Sequence, residues 1–168
     1  MRAAIMQPYF FPYLGYFQLM NAVDVFVVYD NIEFSKKGWI QRNRILLNGK
    51  DEIFSLPLKK DSDFLDIKDR RLADEYLDHN KKTLRKIENA YSKAPNFGEI
   101  FPLLQKCFLL EKHSNLFDFL FFSINEIRSF LGITTSMNIS SELDGEGNKL
   151  KNKTRIFHLC KKVNATIY

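Results

Sequence analysis

The stretch Met6–Arg44 reads MQPYFFPYLGYFQLMNAVDVFVVYDNIEFSKKGWIQRNR. At its centre, Val25-Phe-Val-Val-Tyr29 is β-branched and aromatic without alternation. A strand that is apolar at every position is covered on both faces, as strands of a parallel sheet are. Just before it, Phe17, Leu19, Met20 and Val23 are spaced as on a short helix over Tyr16–Ala22. Ala3–Met6, earlier still, reads as a short buried strand. Strand, helix and covered strand together predict a βαβ unit.

Working outward, Ile32–Phe34 and Trp39–Leu47 read as extended, and Asn48-Gly49 as a hairpin turn. The hairpin's second strand is Glu52–Leu58, with Pro57 closing it at an edge. From Asp61 the character becomes helical. Asp69–Tyr91 carries Tyr76, Leu77, Leu84, Ile87 and Tyr91 on a loose apolar face, and Ala94-Pro95-Asn96 breaks it. Phe97–Lys112 and Ser114–Leu131 follow as helices, the second strongly apolar and ended by Gly132 at C′. Ile133–Ile139 reads as a strand, Leu143–Lys153 as a polar linker containing Gly145-Glu-Gly147, and Arg155–Val163 as a helix capped by Asn152 or Thr154. Ala165–Tyr168 begins another strand.

The expected fold is α/β: a Rossmann-like parallel sheet begun by a short βαβ unit, with a β-hairpin and a three-helix insertion. One domain spans residues 1–168, with 1–60 and 133–168 forming the sheet core and 61–132 the mainly helical insertion. Because the last residues run into a strand, the domain is expected to be C-terminally incomplete.

Composition limits the function classes. The chain has 168 residues, 45% hydrophobic and 14% aromatic, with 16 phenylalanines, which fits a packed domain and not a disordered one. No run approaches the roughly 20 apolar residues of a membrane span, and no signal-peptide pattern opens the sequence. Cys107 and Cys160 form no CxxC pair and read as reduced thiols of a cytoplasmic protein. The net charge of +5 comes from lysines interleaved with acidic residues, so solvated helix faces explain it better than a nucleic-acid surface. A small anionic substrate suits the same charge.

Several residues stand where chemistry is expected. In open parallel sheets, sites lie beyond the carboxyl ends of the strands. The loop Gln7–Gly15 follows the first strand, stiffened by Pro8 and Pro12, with Gly15 allowing a close approach. Gln7 and Tyr9 sit nearest the strand end, whereas Phe10, Phe11 and Tyr13 are expected to pack. Tyr29 and Asp30 end the second strand. Asp30 is a candidate general base or ligand to hydroxyl or ammonium groups, and equally an Asp that caps the following turn. Beyond it, Lys36, Lys37, Arg42 and Arg44 are candidates to clamp a diphosphate, the arginines bidentately. Strand alternation predicts Arg42 and Arg44 on one face and Trp39, Gln41 and Asn43 on the other. Ser140 and Ser141, after the third strand, are placed to reach the same sheet edge, although serines in that position more often start a turn. His79, His113 and His158 lie on separate helices without ligand spacing, so no metal site is indicated, and no cofactor motif is evident.

The layout is similar to the first βαβ unit of nucleotidylyltransferase-like Rossmann folds, but the place of their HxGH motif reads Tyr13-Leu-Gly15-Tyr16. Both histidines are missing, so adenylyl transfer is not expected. A fuller resemblance rests on Gln7–Gln18, Val23–Asp30, Lys37–Arg44, Ala90–Pro95, Asn115–Asp118, Leu131–Ile133, Ser140–Leu143 and Ile156–Tyr168. On these the chain resembles the WbqC-like family, bacterial proteins associated with O-antigen and other surface-polysaccharide genes. The resemblance implies a transferase acting on a nucleotide-activated amino sugar, with amide-forming acyl or aminoacyl transfer as its chemistry. The candidate site has Asp30 and Gln7 as catalytic residues, with Tyr9, Gly15, Tyr29, Lys37, Trp39, Arg42, Asn43, Arg44 and Ser140 binding substrate. A non-catalytic binding or scaffold protein of the same pathway is the alternative, and nucleic-acid binding through the basic surface a further one.

Overall fold

The computed structural model describes residues 1–111, 114–144, 150 and 152–168. His113 and the Gly145-Glu-Gly147 linker lie outside the described residues. Strands β1 (Ala3–Met6) and β2 (Val25–Val28) are joined by helix α1 (Leu14–Ala22) and pair in parallel, Ala3 opposite Val25 through Met6 opposite Val28. Strand β5 (Ser136–Ile139) lies parallel along the far side of β2, giving the order β1-β2-β5. A parallel bridge sets Ile167 beside Arg2, with the Ala3 amide donating to the Ile167 carbonyl at 2.9 Å. The expected α/β fold with a parallel sheet, a hairpin and inserted helices is the observed one.

Period-two alternation divides the core between the two faces of this sheet. Ala4, Phe26 and Val28 point into the larger cluster, with Tyr16, Phe17 and Met20 of α1 and Leu116, Leu120 and Ile124 of helix α4 (Leu116–Phe130). Ala3, Ile5, Val25 and Val27 point the other way, onto Leu159 of helix α6 (Asn152–Lys162) and Val163. Both faces of β2 are therefore covered, which is why its sequence shows no polar alternation.

The second sheet is the hairpin of β3 (Arg42–Leu47) and β4 (Lys50–Ser55). Its two turn residues, Asn48 and Gly49, have φ of 52° and 78°, the geometry of a type I′ turn. A Cβ on Gly49 would meet nothing within 4 Å, so the cost of Gly49→Ala is backbone strain alone. The expected loss is about 1 kcal/mol, read from the urea midpoint.

Of the inserted helices α2 (Tyr76–Tyr91), α3 (Phe97–Phe108) and α4, the first and last start later than the sequence expectation, whereas α3 starts at Phe97 as expected. Helix α2 begins at Tyr76, not Asp69, because Ile67–Asp69 forms a 3-10 turn and Arg71 and Leu72 make antiparallel bridges to Asn115 and Leu58. Asn115 caps α4, its Oδ1 accepting from the Phe117 amide at 2.7 Å and the Asp118 amide at 3.2 Å. Ser140–Asp144 forms a short helix, α5, where a turn was expected. Gly132 closes α4 at φ 66°, as anticipated.

Candidate functional site

The loop after β1 and the segment leading into β3 meet side by side. The Phe10 amide donates to the Ile40 carbonyl at 3.0 Å. Asn43 clamps the loop, its Nδ2 donating to the carbonyls of Phe10 at 2.8 Å and Phe11 at 2.6 Å. Phe11 stands at φ 50°, a left-handed conformation unusual for a bulky side chain, and the Asn43 clamp holds it there. Between the two segments lies a cleft of about 410 Å³, walled by Met6, Tyr9, Pro12 and Tyr13 on one side and Trp39, Arg42 and Arg44 on the other.

Trp39 is 41% exposed, and the guanidinium groups of Arg42 and Arg44 lie 5.2 and 5.1 Å from its ring centroid. Strand alternation therefore pairs the two arginines correctly but misplaces Trp39. Regular strand structure begins only at Arg42, so Trp39 is free to turn between them. Arg42 Nη2 donates to the Lys37 carbonyl, and its buried Nε has no protein partner. Arg44 keeps a loose contact with Asp51 at 3.5 Å. Two delocalised cations on one indole leave donor edges available to an anion.

Tyr9 donates to Gln7 Oε1 at 3.3 Å, and burial pushes the Tyr9 phenol above its ordinary pKa, with Tyr13 adding to the effect. Gly15 does not line the cleft but shapes it. A Cβ there would sit 2.6 Å from Tyr13 Cε2, so the glycine lets the Tyr13 ring fold over the start of α1. Tyr13, expected to pack, is 66% exposed and on the cleft wall, while Phe10 packs as expected at 1%. The Lys37 side chain is exposed and outside the cleft lining, and Lys36 pairs with Asp63.

Asp30, Tyr29 and Ser140 gather elsewhere along the same carboxyl edge. Asp30 is 1% exposed and does not line the cleft. Its Oδ1 accepts from Ser140 Oγ at 2.7 Å and from the Ser141 amide at 2.9 Å, and its Oδ2 accepts from Ser141 Oγ at 2.6 Å. The Asp30 amide donates back to Ser140 Oγ at 3.2 Å, stitching the end of β2 to the end of β5. Beside it, Asp144 Oδ2 accepts from Asn31 Nδ2 at 3.1 Å and Arg155 Nη2 at 2.5 Å, and the Arg155 guanidinium lies 5.2 Å from the Tyr29 ring centroid. Sequence reasoning passed over Asn31, Asp144 and Arg155. Their pairing joins residues far apart in the chain, and no local spacing announces it.

Burial pushes the Cys107 thiol up to about 12 and raises Cys160 as well, so neither is poised as a thiolate. Among the described residues no group of histidine, cysteine and carboxylate side chains is arranged to hold a metal, and no helix is long and apolar enough to cross a membrane.

Fold and cleft together define an α/β protein with an aromatic, doubly cationic cleft beside the carboxyl end of its first strand. The chain belongs to the WbqC-like protein family, whose model matches residues 7–168. It is 32% identical over 167 residues to the uncharacterized protein Rv1507c of Mycobacterium tuberculosis, an alignment covering 99% of this chain and 71% of that protein. No solved structure matches the chain.

Proposed function

We propose that this chain acts in surface-glycan precursor synthesis, in the cytoplasm, and holds a nucleotide-activated amino sugar in the cleft between Tyr9 and Trp39. The observation that carries this reading is the pair of arginines flanking one half-exposed indole, with Tyr9 and Tyr13 opposite. Guanidinium groups bind a diphosphate bidentately, and the aromatic rings offer stacking surface to a base or sugar. The proposed reaction class is transfer to the sugar amine with formation of an amide: the amine nitrogen attacks an acyl carbonyl, the acyl carrier leaves, and the nitrogen gives up a proton. Tyr9, on the cleft wall, stands nearest the reacting end on this reading, with Gln7, outside the lining, accepting a hydrogen bond from its hydroxyl at the end of β1. Asp30, with its carboxylate already accepting three donors, then serves as a positioning residue.

A second reading, non-catalytic binding of the same ligand, is favoured by one feature. Among the described residues no carboxylate or imidazole lines the cleft, so none of them faces it as an ordinary general base. Both readings share a binding prediction. Isothermal titration with UDP-, GDP- and dTDP-linked amino sugars is expected to show binding of at least one class, weakened about tenfold by Trp39→Ala, which corresponds to about 1.4 kcal/mol. Absence of heat from the whole panel would overturn both. Turnover of the bound sugar with an acyl donor separates the first from the second.

A further inference from the structure

We propose that the ligand of this cleft carries a short acyl or alkyl chain, and that the chain enters a separate apolar pocket behind Phe11. This rests on the reading of Arg42 and Arg44 as the seat of an anionic head group.

The pocket measures about 380 Å³ and lies between the hairpin, the end of α2 and the start of α3. Most of its walls are only partly buried, so it is an open aromatic groove, and a contiguous exposed apolar surface of this kind marks an interaction or ligand-binding site. It falls within the roughly 300–1,000 Å³ range of small-molecule sites. Two stacked ring pairs frame it: Phe11 on Phe108 at 5.0 Å and 17°, and Phe97 on Phe101 at 4.7 Å and 20°. Tyr91 fixes a further wall, its hydroxyl accepting from the Leu46 amide at 2.9 Å.

Three residues line both this pocket and the cationic cleft: Phe11, Asn43 and Arg44. The wall between a charged site and an apolar one is thus a phenylalanine in a left-handed conformation, held by an asparagine clamp. Such strain persists where the surroundings over-determine it, and it concentrates at ligand clamps. An anion on Arg44 would hold its tail at the edge of Phe11, facing the apolar pocket. The chemistry that satisfies both sides at once is an anionic head with a short hydrocarbon tail.

Trp39 is the sole tryptophan of the chain, so its fluorescence reports occupancy of the cleft directly. The test titrates the intact chain with butyl, hexyl and octyl phosphate. Affinity is expected to rise roughly fourfold per methylene until the pocket is full. Leu104→Phe, which narrows the pocket, is expected to flatten that rise. An affinity independent of chain length, or an equal rise in Leu104→Phe, would overturn the proposal. So would binding to vesicles of phosphatidylcholine and phosphatidic acid without binding of the soluble series. The two readings fail separately. If nucleotide sugars do not bind while the alkyl series behaves as expected, the nucleotide reading falls and the pocket stands; the reverse result removes the pocket alone.

Discussion

Asp144→Ala is expected to destabilise the chain by about 3–5 kcal/mol, the usual cost of removing one member of a buried ion pair. The Asp144 side chain is fully buried, and Arg155 opposite it is 9% exposed. Asp144 also receives Asn31 through the same oxygen as Arg155, and His158 Nε2 lies 3.3 Å from its other oxygen. Alanine removes the carboxylate that offsets a buried guanidinium, and water has little access to replace it. For a chain of this size the corresponding drop in Tm is roughly 6–20 °C. The pair itself contributes far less than that figure suggests, because both charges were desolvated to form it. The double variant Asp144→Leu with Arg155→Leu is therefore expected to recover most of the loss. Urea melts of the three proteins check this, and a single-variant loss below about 1 kcal/mol would refute it.

That buried cluster also marks where sequence reading stops. Val25–Val28 declared a strand covered on both faces, because every side chain in it meets a helix-bearing layer. Asn48-Gly49 declared its turn, because only residues tolerant of positive φ make a two-residue hairpin. These are local signals. The start of α2 was misjudged because the pairing of Arg71 and Leu72 with distant residues overrides the helical pattern there. Helix α5 went unseen because its serines look like turn formers; their side chains are in fact committed to Asp30 across the sheet.

The candidate site was legible to a similar depth. Its two segments follow from position alone, since the Gln7–Gly15 loop and the residues leading into β3 do meet. Their internal geometry did not follow. Strand alternation cannot orient Trp39, which precedes the strand, and nothing in the sequence shows that Phe11 adopts a left-handed backbone. Asp30 reads from sequence as a candidate base or, equally, as the cap of the following turn, and nothing local shows that three donors from Ser140 and Ser141 occupy its carboxylate. Those donors come from residues some hundred and ten positions later in the chain.

Asn43→Ala is expected to weaken both ligand classes by 10- to 100-fold, about 1.4–2.8 kcal/mol, while changing stability much less. Asn43 Nδ2 ties down two successive carbonyls of the loop, and Oδ1 accepts from the Arg44 amide at 2.8 Å. Losing these bonds costs about 1–3 kcal/mol. Releasing Phe11 from φ 50° returns about 1–3 kcal/mol of strain, so the two nearly cancel in the unliganded fold. They do not cancel on binding, because the wall shared by cleft and pocket is then no longer preorganised and the ligand must rebuild it. Nucleotide-sugar affinity and the chain-length dependence of the alkyl phosphates should therefore fall together. Asn43→Asp should behave in the same way, since it keeps the size and acceptor of the side chain but removes the donors that hold Phe10 and Phe11. Trp39→Ala, which leaves the clamp intact, should lower nucleotide-sugar affinity alone; the alkyl series is then followed by calorimetry. Unchanged affinity for both ligand classes in Asn43→Ala would show that the left-handed Phe11 turn is not what shapes the site.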